Sequence, residues 1–205
     1  LPCRVGLRMP SSNDGGRLMF ATKLQHRMAW AQRAVQYVES DCAVSSSNRG
    51  WGEWLGGVVT LRGLRLAAQR AGYPDLPGIQ LVEVAGNTAR TTQLGNCYEK
   101  SALAFLFLRA NARQVGPINW CSVSGHATGH GIVILGTLQG FCTDSTGRPD
   151  GVKSRPDGGW GVQNTMPTTW PRNAVVCDPW KRVAYPVTDW DKYERGHYVE
   201  VCATQ

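Results

Sequence analysis

The sequence predicts an α+β fold in which helices pack on an antiparallel sheet. Three observations lead there. The stretch Ser101–Ala110 is apolar at helical spacing and follows Gly95-Asn96, a turn and cap pair. Two short apolar runs, 130–136 and 174–177, have the length and composition of buried strands. The first third of the chain is patterned as amphipathic helix. With 205 residues, the chain suits a single domain, 1–205, with a full core.

In chain order, residues 17–39 carry Leu18, Phe20, Leu24, Met28, Ala31, Val35 and Val38 between Arg and Gln, an amphipathic helix that Ser40-Asp41 ends. Residues 51–72 give a second helical band through Leu55, Val58, Val59, Leu61, Leu64, Leu66 and Ala67, stopped by Gly72 and Pro74. Residues 1–78 are therefore expected to be mostly helical, with 74–78 the only seam. Ile79–Val84 alternates as a short strand would. The Cys97 helix follows, then a strand over Ile118–Val123 and another from His130 to Gly136. Between 137 and 173 the composition turns to Gly, Pro, Asp and Thr around Trp160 and Trp170, which reads as a long loop and a candidate lid. The run ending at Cys177 and a last strand over Tyr198–Val201 complete the sheet, so 79–205 forms the core unit with 137–173 inserted.

The chemistry concentrates in that second part. Cys97 opens a helix, where unpaired N–H groups and the positive end of the helix dipole favour a thiolate. His130 leads one apolar run and Asp178 closes another, so a helix N-terminus and two strand ends can bring nucleophile, general base and orienting carboxylate together. Asp178 is preferred to Asp189 and Asp191 because Pro179 biases its backbone to an extended geometry. The thiolate would attack an amide carbonyl, with the Cys97 N–H and Gln93 or Asn96 holding the oxyanion. His126 and the aromatic rings of Trp160, Trp170 and Trp180 are candidates for the substrate pocket. Cys121, His126 and His130 form Cys-x4-His-x3-His, but no fourth ligand accompanies them and the histidines fall on a turn, so no metal and no cofactor are expected.

Gly95-Asn96-Cys97-Tyr98-Glu99 at the helix start, His130 leading a strand and Val176-Cys177-Asp178-Pro179-Trp180 together resemble the papain-like and transglutaminase-like cysteine hydrolase superfamily. The likeness is closest to the papain-like toxin and effector domains of bacteria, which include protein-glutamine deamidases and effector cysteine proteases. It covers residues 93–186 and departs from the pattern in the 48 positions between His130 and Asp178. The resemblance implies a papain-like fold and a Cys97–His130–Asp178 triad acting through a thioester on a protein substrate of a host or rival cell. It also implies a secreted or translocated effector working in the target-cell cytoplasm, with an immunity protein or chaperone as a further partner. Glutamine deamidation leads; endopeptidase activity is the alternative within the class, and a non-enzymatic binding module on a degenerate papain-like fold is the alternative outside it.

The formal charge of +7 is concentrated near the front, at Arg4, Arg8, Arg17, Lys23, Arg27 and Arg33. No RNA-binding aromatic motif, finger spacing or phosphate-cradling loop accompanies it, so specific nucleic-acid binding is not expected and a solvated basic face is. No apolar run approaches the roughly 18 residues of a membrane helix. The seven cysteines include no Cys-x-x-Cys pair, and an odd count allows one free nucleophile beside either bridges or reduced core thiols. The chain is expected to be a piece of something longer, since it starts at Leu1 without a signal core.

Overall fold

The apolar helix after Cys97 is the centre of the fold. The computed structural model describes residues 23–46, 78–124, 129–136, 152–154, 160–162, 170–194 and 198–205. Helices α1 (Lys23–Gln36), α2 (Gly78–Thr92) and α3 (Cys97–Asn111) precede a mixed region of strands β1 (Ile118–Ser124), β2 (His130–Leu135), β3 (Val152–Ser154), β4 (Trp160–Val162), β5 (Val175–Asp178), β6 (Val183–Pro186) and β7 (Tyr198–Thr204), with a short α4 (Trp190–Tyr193) before the last. The architecture is α+β: a five-stranded antiparallel sheet in the order β6-β5-β2-β1-β7, with helices against it.

Helix α3 buries residues all around its axis, including Ala102, Leu103, Ala104, Phe105, Phe107 and Leu108, as expected of a helix enclosed by other elements rather than lying on a surface. Removing the fully buried Phe105 ring would cost about 3–5 kcal/mol. Helix α1 packs on it through Ala31 and Ala34 and continues as a π-helical turn, Tyr37–Asp41, that buries Val38. The tight small-residue side of α2 is Val82, Ala85, Gly86 and Ala89, and a Cβ on Gly86 would lie 2.6 Å from Leu106 Cδ1.

That side corrects the expectation for Ile79–Val84, which is helix and not strand. Apolar residues alternate only as far as Val84, whereas the buried positions Val82, Ala85, Gly86 and Ala89 follow the i, i+3, i+4, i+7 spacing of a helix face. Their small side chains carry little hydrophobic signal, so the true period was masked. The expected helix over 51–72 lies outside the described residues, as do Leu18 and Phe20.

The sheet divides the core in two. On one face Trp120, Val133, Leu135, Val175 and Cys177 pack under the helices; on the other Cys121, Val123, Ile132, Ile134 and Val176 meet Trp170, Tyr185, Val187 and Trp190. Strands β2 and β5 are buried along their whole length, which accounts for their unbroken apolar runs. The insertion between them is not all loop: β3 and β4 pair antiparallel, Val152 opposite Val162, and β4 lies against β7. Among the described residues no helix is long and apolar enough to cross a membrane.

Candidate active site

Cys97 is the first residue of α3 and Asn96 its cap. Asn96 and Glu99 form a reciprocal capping box, with the Asn96 N–H donating to Glu99 Oε2 at 3.0 Å. Gly95 is required there, since a Cβ would lie 2.9 Å from that of Glu99. The cap fixes where the helix begins and so where the sulfur points.

The base and its partner come from the sheet. Val133 lies opposite Cys177 in the β2–β5 register, so Asp178 falls opposite Ile132, and His130 is its diagonal neighbour on the same face. His130 Nε2 and Asp178 Oδ2 are 2.6 Å apart, with the residues 4% and 0% exposed. The other carboxylate oxygen, Oδ1, accepts the N–H of Trp180 at 3.1 Å and of Lys181 at 2.9 Å. Asp178 is thus held by the turn it starts. The His130 and Trp180 rings meet in an edge-type contact, with centroids 5.4 Å apart and planes at 65°.

Since Nε2 faces Asp178, Nδ1 is the ring nitrogen left for Cys97, to which His130 is hydrogen-bonded. Burial by itself would raise the Cys97 thiol. The hydrogen bonds from His130 and from the Gly131 backbone more than offset it, and the pKa lies below that of an ordinary cysteine. Burial likewise works against a charged His130, but the hydrogen bonds with Asp178 and Cys97 outweigh it and push the imidazole up to about 9. Each direction favours the charged form of its group, the thiolate at Cys97 and the imidazolium at His130. The contrast with the core thiols is sharp: burial raises Cys121 well above the usual range, and Cys177 likewise. Cys97, Cys121 and Cys177 form no disulfide.

Gly131 was not singled out in the sequence, yet it permits the approach of β2 to α3. A Cβ there would lie 2.5 Å from Ser101 Oγ and 3.0 Å from both Cys97 O and Tyr98 Cα. Its signal was a glycine directly after the candidate histidine, at the start of a strand. Ser101, whose Oγ accepts Trp120 Nε1–H at 2.8 Å and donates to Tyr98 O at 2.9 Å, completes that contact.

The remaining candidates separate. The side-chain amide of Gln93 is directed to Cys42 O, at 3.4 Å, and its backbone holds a left-handed φ of 55° at the end of α2. The side chain of Asn96 serves the capping box. The helix N-terminus, with the Cys97 N–H at its first position, is therefore the better-placed donor for an oxyanion than either side chain. Trp170 is a core residue, 4% exposed and packed edge-on against Trp190 at 6.0 Å, so it is not a pocket wall. Its apolar ring closes the sheet face opposite α3. Trp160 lies in β4, and His126 lies outside the described residues.

One buried group with no signal in the sequence, Glu194, sits beside the pair. Glu194 is 1% exposed, and its carboxylate, that of Asp178 and the His130 ring have donor atoms within 4.8 Å of one another. These are the donor types of a cation site, but Asp178 bonds to His130 and two backbone N–H groups, and Glu194 Oε1 is paired with Lys181 Nζ. Protein donors occupy the cluster. Comparison with family models, with curated proteins and with solved structures returns no match.

Proposed function

We propose that this protein is a cysteine-dependent amide hydrolase with a Cys97–His130–Asp178 triad on a papain-like fold. The observation that carries the reading is a capped helix N-terminus presenting Cys97 to a buried His130 whose far nitrogen is 2.6 Å from Asp178. A buried structural thiol has no need of a cationic partner, and among the described residues none lowers the pKa of Cys121 or Cys177; that of Cys97 is lowered, as a nucleophile requires.

The chemistry follows from these groups. The Cys97 thiolate adds to the carbonyl carbon of an amide, and the oxyanion lies at the N-terminus of α3. His130, protonated at Nδ1, gives that proton to the departing nitrogen as the C–N bond breaks, leaving a thioester. Water then adds to the thioester, losing a proton to His130, and the thiolate departs. Asp178 keeps the ring oriented and stabilises the imidazolium throughout.

The substrate read from the Gly95-Asn96-Cys97-Tyr98-Glu99 likeness is a protein glutamine, so the products are glutamate and ammonia. In that reading the chain acts as a bacterial effector in the cytoplasm of a target cell. The test is mass spectrometry of a target-cell lysate treated with the protein. Glutamines gaining about one dalton without new chain termini, and only with Cys97 intact, support deamidation. New termini that depend on Cys97 replace it with peptide cleavage; neither change refutes the hydrolase.

A further inference from the structure

A second ion pair, between the half-buried Lys181 and the buried Glu194, lies beside the His130–Asp178 pair. Glu194 follows α4, where its N–H donates to Trp190 O at 2.7 Å, and its side chain is fully enclosed. Lys181 Nζ donates to Glu194 Oε1 and to Tyr193 O, the latter at 3.2 Å. The same residue's backbone N–H donates to Asp178 Oδ1 at 2.9 Å. Lys181 therefore touches both carboxylates, one through its main chain and one through its side chain.

We propose that Lys181 and Glu194 are positioning residues of the Cys97 site: Lys181 holds the Asp178 carboxylate toward His130, and Glu194 anchors and neutralises Lys181. The inference rests on Cys97 being the nucleophile. Two carboxylates beside one imidazole would over-stabilise its charged form and oppose a nearby thiolate. Lys181 cancels one of them, so the couple feels chiefly Asp178.

Other titratable groups among the described residues near the couple are engaged or neutral. From β6, Tyr185 is held far above the ordinary phenol range, first by burial and then by Glu194 and Asp178, so it stays neutral. From α4, the Tyr193 ring stacks on Tyr185 with centroids 4.1 Å apart. From α3, Glu99 is engaged in the capping box and Lys100 is paired with Glu39, which also binds Arg182 of the β5–β6 turn.

The signs separate positioning by charge from mere packing. Glu194→Gln removes a negative charge, so both the pH at which the thiolate forms and the pH at which the imidazolium is lost fall by roughly one unit. Lys181→Met removes a positive charge and keeps the backbone N–H, so both rise by a similar amount. Lys181→Arg and the neutral double variant Glu194→Gln/Lys181→Met stay within a few tenths of a unit of the wild type. The measurement is the rate of Cys97 alkylation by iodoacetamide against pH, resolved by peptide mass spectrometry on the full chain, with circular dichroism to verify folding. Single variants that move in the same direction, or not at all, overturn the proposal. If either single variant fails to fold, the neutral double variant decides: a profile at the wild-type position supports the proposal and a displaced one refutes it. A wild-type Cys97 that alkylates no faster than Cys202 near neutral pH removes the nucleophile reading itself, a different failure from unshifted variants.

Discussion

Asp178→Asn tests the triad at the point where geometry makes the sharpest demand. The wild-type carboxylate accepts on both oxygens, from two backbone N–H groups at Oδ1 and from His130 at Oδ2. An asparagine keeps the acceptor at Oδ1 and places an NH2 donor against His130 Nε2. The ring must then accept at Nε2 and carry its proton on Nδ1, the nitrogen facing Cys97, and a neutral ring in that tautomer cannot take the thiol proton. The energy at stake follows from the imidazole standing at about 9 instead of its ordinary 6.5. That rise is the net of burial, which lowers the imidazole, against the contacts with Asp178 and Cys97, which raise it, so losing the carboxylate removes a leading cause of the charged form. Burial, the largest influence on His130, acts in the same direction once the carboxylate is gone. Alkylation of Cys97 at about neutral pH should therefore slow by about 10- to 100-fold, and the loss of the imidazolium should move down from about 9. The half-buried Asp189, converted to Asn, is the control and should leave both unchanged. An Asp178→Asn protein that folds and retains the wild-type alkylation profile would refute the orienting role.

Three other perturbations follow from the same contacts. Gly131→Ala forces a Cβ to within 2.5 Å of Ser101 Oγ, so β2 and α3 must separate; chemical denaturation should show a loss of about 1–3 kcal/mol, with slower Cys97 alkylation. Glu39→Gln takes a carboxylate from the buried Lys100 and from Arg182, and denaturation should show a loss of about 1–3 kcal/mol. His130 also makes stability depend on pH. Its pKa is raised on folding to about 9, so its stabilising contribution is whole below about pH 6.5 and is lost as pH rises through about 9. Thermal melts in a Cys97→Ala background, which keeps the Asp178 contact but loses the Cys97 one, should show a decline that begins above about pH 6.5, ends below about 9 and is abolished by His130→Gln.

The catalytic candidates were legible because each stands where an apolar run meets polar sequence. Cys97 follows Gly95-Asn96, His130 precedes Gly131-Ile132-Val133-Ile134-Leu135, and Asp178 follows Val175-Val176-Cys177. Such junctions fix side chains at element ends, and a strand register of period two then carries His130 and Asp178 to one face. Glu194 was not legible, because it follows a four-residue helix and lies in an ordinary polar stretch, Asp191-Lys192-Tyr193-Glu194. Only the tertiary fold encloses it. Helix α2 was misread for a related reason: Ala85, Gly86 and Ala89 bury a face by being small, and smallness leaves little trace in a hydrophobic pattern. The hairpin β3–β4 hid in a Gly- and Pro-rich segment whose strands are only three residues long.

The candidate nucleophile and its candidate base belong to different layers, the thiol to a helix and the His–Asp pair to the sheet, so the proposed site needs those layers to keep their spacing. Apolar packing beneath α3 supplies cohesion but is tolerant of small slides, since dispersion contacts carry no direction. Directional ties are what remove the slide. Glu39 bonds Lys100, one turn beyond Cys97 on α3, and also Arg182, in the turn that begins with Asp178. Trp120 on β1 donates to Ser101 on α3, next to the point where Gly131 lets the strand approach. One tie therefore joins the nucleophile helix to the carboxylate turn, and the other joins it to the strands beside His130. Each involves a group that is nearly or wholly buried, where a broken hydrogen bond or ion pair is expensive. The reactive geometry is thus specified by polar contacts placed at the edges of an apolar core, and substitutions at Glu39 or Ser101 should reduce Cys97 reactivity without either residue touching the sulfur.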